Sequence, residues 1–199
     1  MTGQVIVDIT MSLDGYVTAP GADIAHGLGV DGEPLHDWVF SGTPEDGGIL
    51  DDMTARTGAV IMGRRTFDVV DGPHGWNESV GYGADRNAPP PVFVVTHQAP
   101  KTWRLGDRFT FVTDGPHSAL DQARAAAGDK DVVVMGGGAV CHQFLAAGLV
   151  DLLNIHLSPI VLGAGTRLFP AHDAKRLRLE QVGIVSTPSA HHLSYRVIT

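Results

Sequence analysis

Apolar residues in this chain occur in short continuous runs, which are separated by glycine, proline and polar stretches. A short apolar run with turn signals at its ends is typical of a strand that is buried on both faces. Asp14-Gly15 is such a turn signal, and it closely follows the first run. The pattern predicts strands at residues 5–9, 59–62, 92–96, 109–112, 131–135, 152–160, 177–185 and 191–198.

Helices are predicted between most of these strands. Residues 49, 50 and 53 are apolar, which is the spacing of an amphipathic helix, and Gly58 is expected to end that helix. Alternating strands and helices imply a largely parallel sheet with helices on both faces, within a single domain over residues 1–199. The last two strands have no helix between them and are expected to be antiparallel. The other predicted helices cover residues 66–70, 118–127 and 139–147, with one or two helical turns at 35–40.

Two long segments, residues 18–47 and 71–91, are rich in glycine and proline and show little periodicity. Loops of this length inside a compact domain are usually functional covers or disordered. Their aromatic side chains could form an apolar lid over a flat ring, although core packing is the alternative for at least two of them. These side chains are Trp38, Phe40, Trp76 and Tyr82.

Composition narrows the classes of function. The formal net charge is −8, and a nucleic-acid-binding protein needs a basic face, so no nucleic-acid partner is expected. No apolar run reaches the ~18 residues of a membrane span, and the N-terminus has no basic leader, so a cytoplasmic protein without membrane contact is expected. A lone Cys141 excludes an intrachain disulfide. The histidines lack metal-ligand spacing, and the neighbours His191 and His192 point to opposite faces of a predicted strand, so no metal site is predicted.

A strand that ends in three glycines is the strongest signal for a ligand. Glycines let backbone N–H groups approach a ligand closely, and a helix N-terminus favours an anion, so the segment predicts a pyrophosphate site. A plain tight turn is the alternative, although one glycine would suffice for it. The segment lacks the G-x-G-x-x-G fingerprint, because Cys141 stands at its last position. The residues concerned are Gly136, Gly137, Gly138, Ala139 and Val140.

Two further strands end in groups that suit a phosphate. Arginine makes bidentate phosphate contacts, and a threonine at a helix start offers its N–H and its hydroxyl. A solvated surface pair is the alternative role for the two arginines. Ligands in open α/β sheets lie outside the carboxyl ends of the strands, so the three strand ends are expected to converge on one site. The second end carries Gly63, Arg64, Arg65 and Thr66, and the third carries Thr96 and His97.

Together, these motifs resemble the cofactor-binding elements of the dihydrofolate reductase superfamily. The segments at 11–16 (MSLDGY) and 157–169 (LSPIVLGAGTRLF) are more similar to one branch of it. That branch is the reductase domain of the bacterial riboflavin-biosynthesis deaminase-reductase and its stand-alone relatives. The resemblance extends over nearly the whole chain. It implies an NADPH-binding three-layer α/β/α sandwich with a mostly parallel central sheet and an antiparallel C-terminal hairpin.

The resemblance also implies how the ligands are held. The adenosine phosphates of NADPH would lie on Arg64, Arg65, Thr66, Thr96 and His97. The pyrophosphate would lie on the glycine segment. The candidates on the substrate side are Ser12, Trp38, Gly163 and Gly165.

Departures from the family patterns narrow the range of activities that we expect. The zinc deaminase pattern H-x-E with P-C-x-x-C is absent, which leaves a reductase-like module. Ser12-Leu-Asp-Gly stands where a dihydrofolate reductase carries Pro-Trp, which argues against folate as the substrate. The expected activity is hydride transfer to a small heterocyclic or ribosylamino-pyrimidine-like substrate. It would resemble that of 5-amino-6-(5-phosphoribosylamino)uracil reductase or dihydrofolate reductase.

Reduction of a C=N bond needs a proton at nitrogen, so a carboxylate near the nicotinamide is expected. Asp14, at the end of the first strand, is one candidate, with an ordinary Asp-Gly turn as the equal alternative. Asp37, beside Trp38 on the predicted helical turn, is the other, and a helix cap is its alternative.

Two other functions stay open at this point. A non-catalytic nucleotide-binding sensor or scaffold would keep the cofactor site without turnover, and a flavin- or deazaflavin-using reductase would keep catalysis with another cofactor. We also expect a homodimer, because the late apolar strands, with 191–198 at a sheet edge, offer a surface that a monomer must protect. The riboflavin-type relatives that the chain resembles tend to pair as well.

Overall fold

The structure is a computed structural model that describes residues 3–84, 86–170 and 176–198. Its first strands and helices are β1 (Val5–Ser12), β2 (Tyr16–Thr18), α1 (Asp37–Phe40), α2 (Pro44–Arg56), β3 (Thr57–Gly63), α3 (Arg64–Val70) and β4 (Val92–Val95). They are followed by β5 (Phe109–Val112), α4 (Gly115–Ala127), β6 (Asp131–Met135), α5 (Gly138–Ala146), β7 (Leu152–Ser158), β8 (Thr166–Arg167), β9 (Arg178–Ser186) and β10 (His191–Ile198). A 3₁₀ turn, Glu33–His36, leads into α1.

Eight of the strands form one sheet in the order β5-β4-β3-β6-β1-β7-β10-β9. The strands from β5 to β7 in this order pair in parallel, whereas β10 runs antiparallel to both β7 and β9. The predicted parallel sheet with an antiparallel C-terminal hairpin is therefore confirmed. β2 and β8 form a separate antiparallel pair. The apolar pattern did not indicate these two strands, because they have only three and two residues.

Alternate residues of the strands build two separate cores, one on each face of the sheet. Val7 and Ile9 of β1 pack with α4 and α5, and Phe144 of α5 is completely buried in that cluster. On the other face, Met62 of β3 packs with Phe67 of α3. The helices thus form two outer layers around the sheet, as the resemblance implied.

Both ends of α2 differ from those predicted from the sequence. The helix begins earlier, at Pro44, because Thr43 and Asp46 form a capping box in which each side chain accepts the other residue's N–H. The predicted end at Gly58 is wrong, because the helix stops at Arg56 and Gly58 belongs to β3. Gly58 is needed for packing, since a Cβ there would lie 2.7 Å from the carbonyl oxygen of Ala127.

Within the described residues, no helix combines the length and the apolar character that crossing a bilayer requires.

The exposed edge of the C-terminal hairpin is β9. The prediction that residues 191–198 form an edge is wrong, because β10 is paired on both sides, with β7 and β9. β9 carries apolar side chains that are well exposed, with 45% for Val182, 54% for Ile184 and 45% for Val185. A long edge strand with exposed apolar side chains is a surface for pairing with another chain.

We predict a homodimer that uses β9. Light scattering at micromolar concentration should give twice the chain mass of 21.0 kDa. Ile184→Lys should shift the protein towards the monomer, because a buried lysine charge disfavours the contact. Val30→Lys changes a similarly exposed apolar residue outside β9 and should leave the dimer intact. A monomer for the unchanged protein would contradict the prediction.

Candidate active site

The adjacent central strands β1 and β6 separate at the candidate site. Their pairing ends where Asp8 lies opposite Met135. β6 stops there and turns at Gly136, whereas β1 continues to Ser12 with β7 as its remaining neighbour. The helix after β6 lies on one face of the sheet, and the helical turn after β1 lies on the other. Diverging connections of this kind open a crevice at the carboxyl ends of the strands, the usual ligand position in open α/β sheets.

The glycine turn after β6 requires glycine for two reasons. Gly136 and Gly137 have φ values of 68° and 79°, in the left-handed region that side chains disfavour. A Cβ on either residue would lie 2.9 Å from an atom of Thr66, and a Cβ on Gly138 would lie 2.9 Å from Val17. Two of the three predicted strand ends are thus in close contact, with Thr66 against the turn.

The third strand end is linked to the second by Arg64. Its Nε donates to Asp68 Oδ1 at 2.7 Å, and its Nη1 donates to the carbonyl oxygen of Gln98 at 2.9 Å. The hydroxyl of Thr96 donates to the same carbonyl at 2.9 Å. Because β4, β3 and β6 are neighbours in the sheet, all three predicted ends lie side by side.

Two basic side chains at these ends project into solvent. Arg65, in the first turn of α3, and His97, after β4, are both exposed. Within the described part of the chain, neither side chain makes a hydrogen bond or an ion pair. They are therefore available to an anionic ligand, whereas Arg64 would have to share or exchange its present partners.

A cavity of about 460 Å³ lies beside the first turn of α5. One wall belongs to α5 and the other to the segment around β8. Sequence reasoning selected some of these residues and missed others, because a two-residue strand has no detectable pattern. The lining residues are Gly138, Ala139, His142, Gly165, Thr166, Arg167 and Pro170.

Arg167 fixes β8 against β2 at the edge of this cavity. Its guanidinium lies 4.3 Å from the ring centre of Tyr16 and donates to the Tyr16 hydroxyl at 3.0 Å. It also donates to the carbonyl oxygen of Asp14 at 3.1 Å. The two-stranded sheet is thus tied to the end of β1.

Asp14 anchors a turn in this structure. Its carboxylate accepts hydrogen bonds from the Ser12 hydroxyl at 2.6 Å, the Leu162 N–H at 3.1 Å and the Gly163 N–H at 2.7 Å. The Ser12 hydrogen bond, helped by the two N–H groups, lowers the pKa of Asp14 to about 2. A carboxyl group that is ionised at neutral pH has no proton to donate, so the geometry favours the turn interpretation.

Asp37 lies in a different environment. It is exposed in the first turn of α1, and within the described residues its carboxylate accepts no hydrogen bond. Its backbone carbonyl accepts the Ser41 N–H and hydroxyl. The side chain is therefore free to meet a ligand or water.

The predicted substrate residues are only partly accessible. Ser12 is completely buried, and Trp38 is 3% exposed with its indole N–H donated to Thr10 Oγ1 at 3.0 Å. Gly163 belongs to the loop that Asp14 holds. Gly165 lines the cavity beside α5. Of the four, Gly165 therefore has the most direct access to a ligand.

The predicted aromatic lid is not formed. Trp38 is buried against the sheet, whereas Phe40 is 75% exposed. Trp76 and Tyr82 pack against the separate core around Phe109. Core packing, the alternative considered from the sequence, describes three of the four side chains.

The fold is that of a dihydrofolate reductase-like α/β protein. The chain belongs to the RibD C-terminal domain family, whose model matches residues 4–193. Both findings confirm the resemblance drawn from the motifs.

Individual relatives are distant in sequence. The chain is 22% identical to the uncharacterized protein YyaP of Bacillus subtilis (strain 168) over 172 residues, which covers 83% of this chain and 80% of YyaP. A crystal structure from Shewanella sp. PV-4, whose name links it to riboflavin biosynthesis, matches with a TM-score of 0.69, 24% identity and coverage of 98% and 99%. Dihydrofolate reductase from Enterococcus faecalis, complexed with NADP(H), matches with a TM-score of 0.60, 18% identity and coverage of 99% and 98%.

Asp14→Asn should lower the stability of the protein above about pH 4. A pKa that is depressed in the folded state contributes stability above the unfolded-state value of about 3.9, and this contribution is lost as the pH falls towards the folded value. Urea unfolding of Asp14→Asn and of the unchanged protein should therefore differ most at pH 6 and converge towards pH 2.

Asp37→Asn is the matched control and should unfold like the unchanged protein at every pH. Equal stability of Asp14→Asn and Asp37→Asn at pH 6 would show that Asp14 is not the anchor described.

Proposed function

We propose that this protein is an NADPH-dependent reductase that acts on a small heterocyclic or ribosylamino-pyrimidine-like substrate. Membership of the RibD C-terminal domain family supports the reductase assignment. The observation that carries the proposal is the position of the glycine turn, which lies against Thr66 at the crevice between β1 and β6. One strand end alone would suit many anions, whereas three neighbouring ends suit an extended dinucleotide.

The glycine turn fits the pyrophosphate of the cofactor. Without side chains at 136–138, the backbone N–H groups at the start of α5 are accessible to phosphate oxygens. A nine-residue helix adds its dipole to this N-terminus. Ala139 and Val140 would complete the first helical turn around the same group.

The basic side chains at the ends of β3 and β4 fit the adenosine phosphates. Arg65 and His97 are exposed beside Arg64 in a chain whose net charge is −8. Positive charge so placed offsets the repulsion between an acidic protein and a polyanionic ligand. These side chains would distinguish NADPH from NADH through the 2′-phosphate.

The bound cofactor would supply a hydride to the substrate. The chain itself would bind and orient both molecules in the crevice and exclude water from it. The Asp14 carboxylate is held by the hydrogen bonds of its turn. Of the two predicted acids, Asp37 is therefore the one that is free to exchange a proton.

A substrate panel distinguishes the proposal from its alternatives. Oxidation of NADPH with 5-amino-6-(5-phosphoribosylamino)uracil or a related heterocycle is the expected result. Tight NADPH binding without turnover across the panel would favour a sensor or scaffold. A visible absorption band in the purified protein would favour a flavin or deazaflavin.

NADPH should bind more tightly than NADH, and Arg65→Ala should remove most of the difference. Loss of a hydrogen bond to a charged group costs roughly 1.5–3 kcal/mol, or about ten- to a hundredfold in affinity. Calorimetry measures both dissociation constants. Arg64→Ala should act in the same direction, but it also breaks contacts with Asp68 and Gln98.

The control for this prediction is Arg196→Ala, which removes an arginine from a surface pair with Glu180 on the C-terminal hairpin. It should leave both affinities unchanged. Equal affinities of the unchanged protein for NADPH and NADH would overturn the assignment.

A further inference from the structure

Four buried ionisable side chains form a hydrogen-bonded chain on the α1–α2 face of the sheet. Asp8 Oδ1 lies 3.1 Å from His156 Nε2, the Nδ1 atoms of His156 and His192 are 2.7 Å apart, and His192 Nε2 lies 2.8 Å from Asp46 Oδ1. The most exposed of these side chains is Asp8, at 8%. Strand pairing brings them together, because His156 is the partner of His192 across the β7–β10 ladder.

The Asp46 end of the chain is an ionised carboxylate. Besides His192, it accepts hydrogen bonds from the Thr43 N–H and hydroxyl and from the Thr187 hydroxyl. Burial raises the pKa of Asp46, but the hydrogen bonds from Thr43, His192 and Thr187 outweigh it and hold the pKa far below its ordinary range. Since Asp46 only accepts, His192 Nε2 must carry the proton of that contact.

The direction of the His–His contact follows from this. Burial lowers the pKa of His192, against the raising effect of Asp46, and this lowering favours the neutral imidazole. A neutral imidazole with its proton on Nε2 presents a lone pair at Nδ1. His156 must therefore donate from its own Nδ1.

The contact between His156 and Asp8 needs one more proton. Without it, a lone pair of His156 Nε2 would face a carboxylate oxygen at 3.1 Å. The pair is therefore either an imidazolium with a carboxylate or a neutral imidazole with a carboxylic acid. Trp38 supports the imidazolium, because its ring stacks on His156 with 4.1 Å between ring centres.

The titratable groups around the Asp8–His156 pair are consistent with one extra proton on the pair. His36, from the 3₁₀ turn, has its pKa lowered to about 4, first by burial and then by His156. Asp8 raises the pKa values of Tyr82 and of Cys141 in α5, although burial is the larger cause in both cases. Tyr82 and Cys141 therefore keep their own protons at neutral pH and place no further charge beside Asp8.

Of the two ends of the chain, the Asp8–His156 end is the one next to the glycine turn. Asp8 occupies the last paired position of β1 and β6, next to the glycine turn, where the crevice opens. Asp46, at the other end, is completely buried. A proton that leaves the chain towards a ligand would therefore leave from Asp8.

We propose that the Asp8–His156 pair is the proton donor of this site, with His192 and Asp46 as positioning residues. This inference rests on the proposed reductase function. In this reduction a bound dihydronicotinamide would supply a hydride to the carbon of a C=N bond. As the π bond breaks, the nitrogen would take a proton from Asp8, which would in turn take the Nε2 proton of His156. The cofactor is oxidised, the substrate gains one C–H and one N–H bond, and water returns a proton to the pair.

The proton can be measured without substrate or cofactor. Nitrogen-15 NMR of histidine-labelled protein at pH 7 should show His192 protonated on Nε2 alone, and His156 protonated on Nδ1 and sharing a proton at Nε2 with Asp8. In Asp8→Asn the amide oxygen should take the place of Asp8 Oδ2, which accepts from Asn154 Nδ2 at 3.3 Å, so that the amide NH2 group faces His156 Nε2. The Nε2 proton should then disappear while the fold is kept. In the unchanged protein, an unprotonated Nε2 on His156, together with an Asp8 carboxyl carbon-13 shift typical of a carboxylate, would overturn the proposal.

Turnover is the second measurement. Asp8→Asn should reduce the rate of NADPH oxidation by about a hundred- to ten-thousandfold, the usual contribution of general acid catalysis, with NADPH affinity near normal. Asp8→Glu, which keeps a carboxyl group, should restore part of the rate. Asp121→Asn, which changes an exposed carboxyl group of α4 on the other face of the sheet, is the matched control and should keep the rate.

Failures of the two proposals are distinguishable. Normal turnover by Asp8→Asn, or a lost rate in Asp37→Asn alone, overturns the proton donor and leaves the reductase standing. If NADPH does not bind, or no member of the panel oxidises it, the reductase proposal fails and proton donation fails with it. The NMR measurement reports the charge of the chain in either case.

Discussion

The separation of β1 from β6 is the constraint on which the candidate site depends. Two parallel strands in the centre of the sheet pair as far as Asp8 and Met135, and then only β1 continues. β6 can end so abruptly because two successive residues adopt positive φ values that glycine tolerates. The same turn starts α5, so one backbone feature both opens the crevice and aims a helix N-terminus at it.

An acidic protein that binds a polyanion has to concentrate its positive groups. At the proposed site, backbone N–H groups would supply one part of the contacts, and the arginines Arg64 and Arg65, with His97 beside them, would supply another. Arg64 is already held by Asp68 and Gln98, which fixes the ends of β3 and β4 relative to each other. Arg65 stays in solvent and is the more adaptable contact. Two carboxylates, Asp8 and Asp46, are buried as well, and each is paired with a histidine, His156 and His192 respectively.

Most of the fold could be predicted from the sequence, because apolar runs and turn residues act over short distances. The runs located the strands of the main sheet, and the glycines marked the turn after β6. The sequence also predicted that His191 and His192 point to opposite faces of a strand, and His192 is the buried one of the two.

The remaining features depend on contacts between distant parts of the chain. Asp14 is followed by glycine, as in an ordinary turn, but two of its hydrogen-bond donors come from Leu162 and Gly163. His156 meets Asp8 only because of the register between β7 and β1. No local pattern encodes such a register. The edge position was wrongly assigned to residues 191–198 for the same reason, since the order of strands is a property of the whole sheet.

Comparison of Gly137→Ala with Gly148→Ala tests most directly whether the glycine turn is the pyrophosphate site. The two glycines have φ values of 79° and 70°, so alanine should cost similar backbone strain in both, roughly 1–2 kcal/mol, to which the contact with Thr66 adds at 137. A Cβ at 137 would meet Thr66, whereas at 148 it would meet no atom within 4 Å. Gly137→Ala should weaken NADPH about tenfold or more in calorimetry, the equivalent of one lost hydrogen bond to a charged group, and Gly148→Ala should leave it unchanged. Equal NADPH affinities for the two variants would contradict the assignment of the turn.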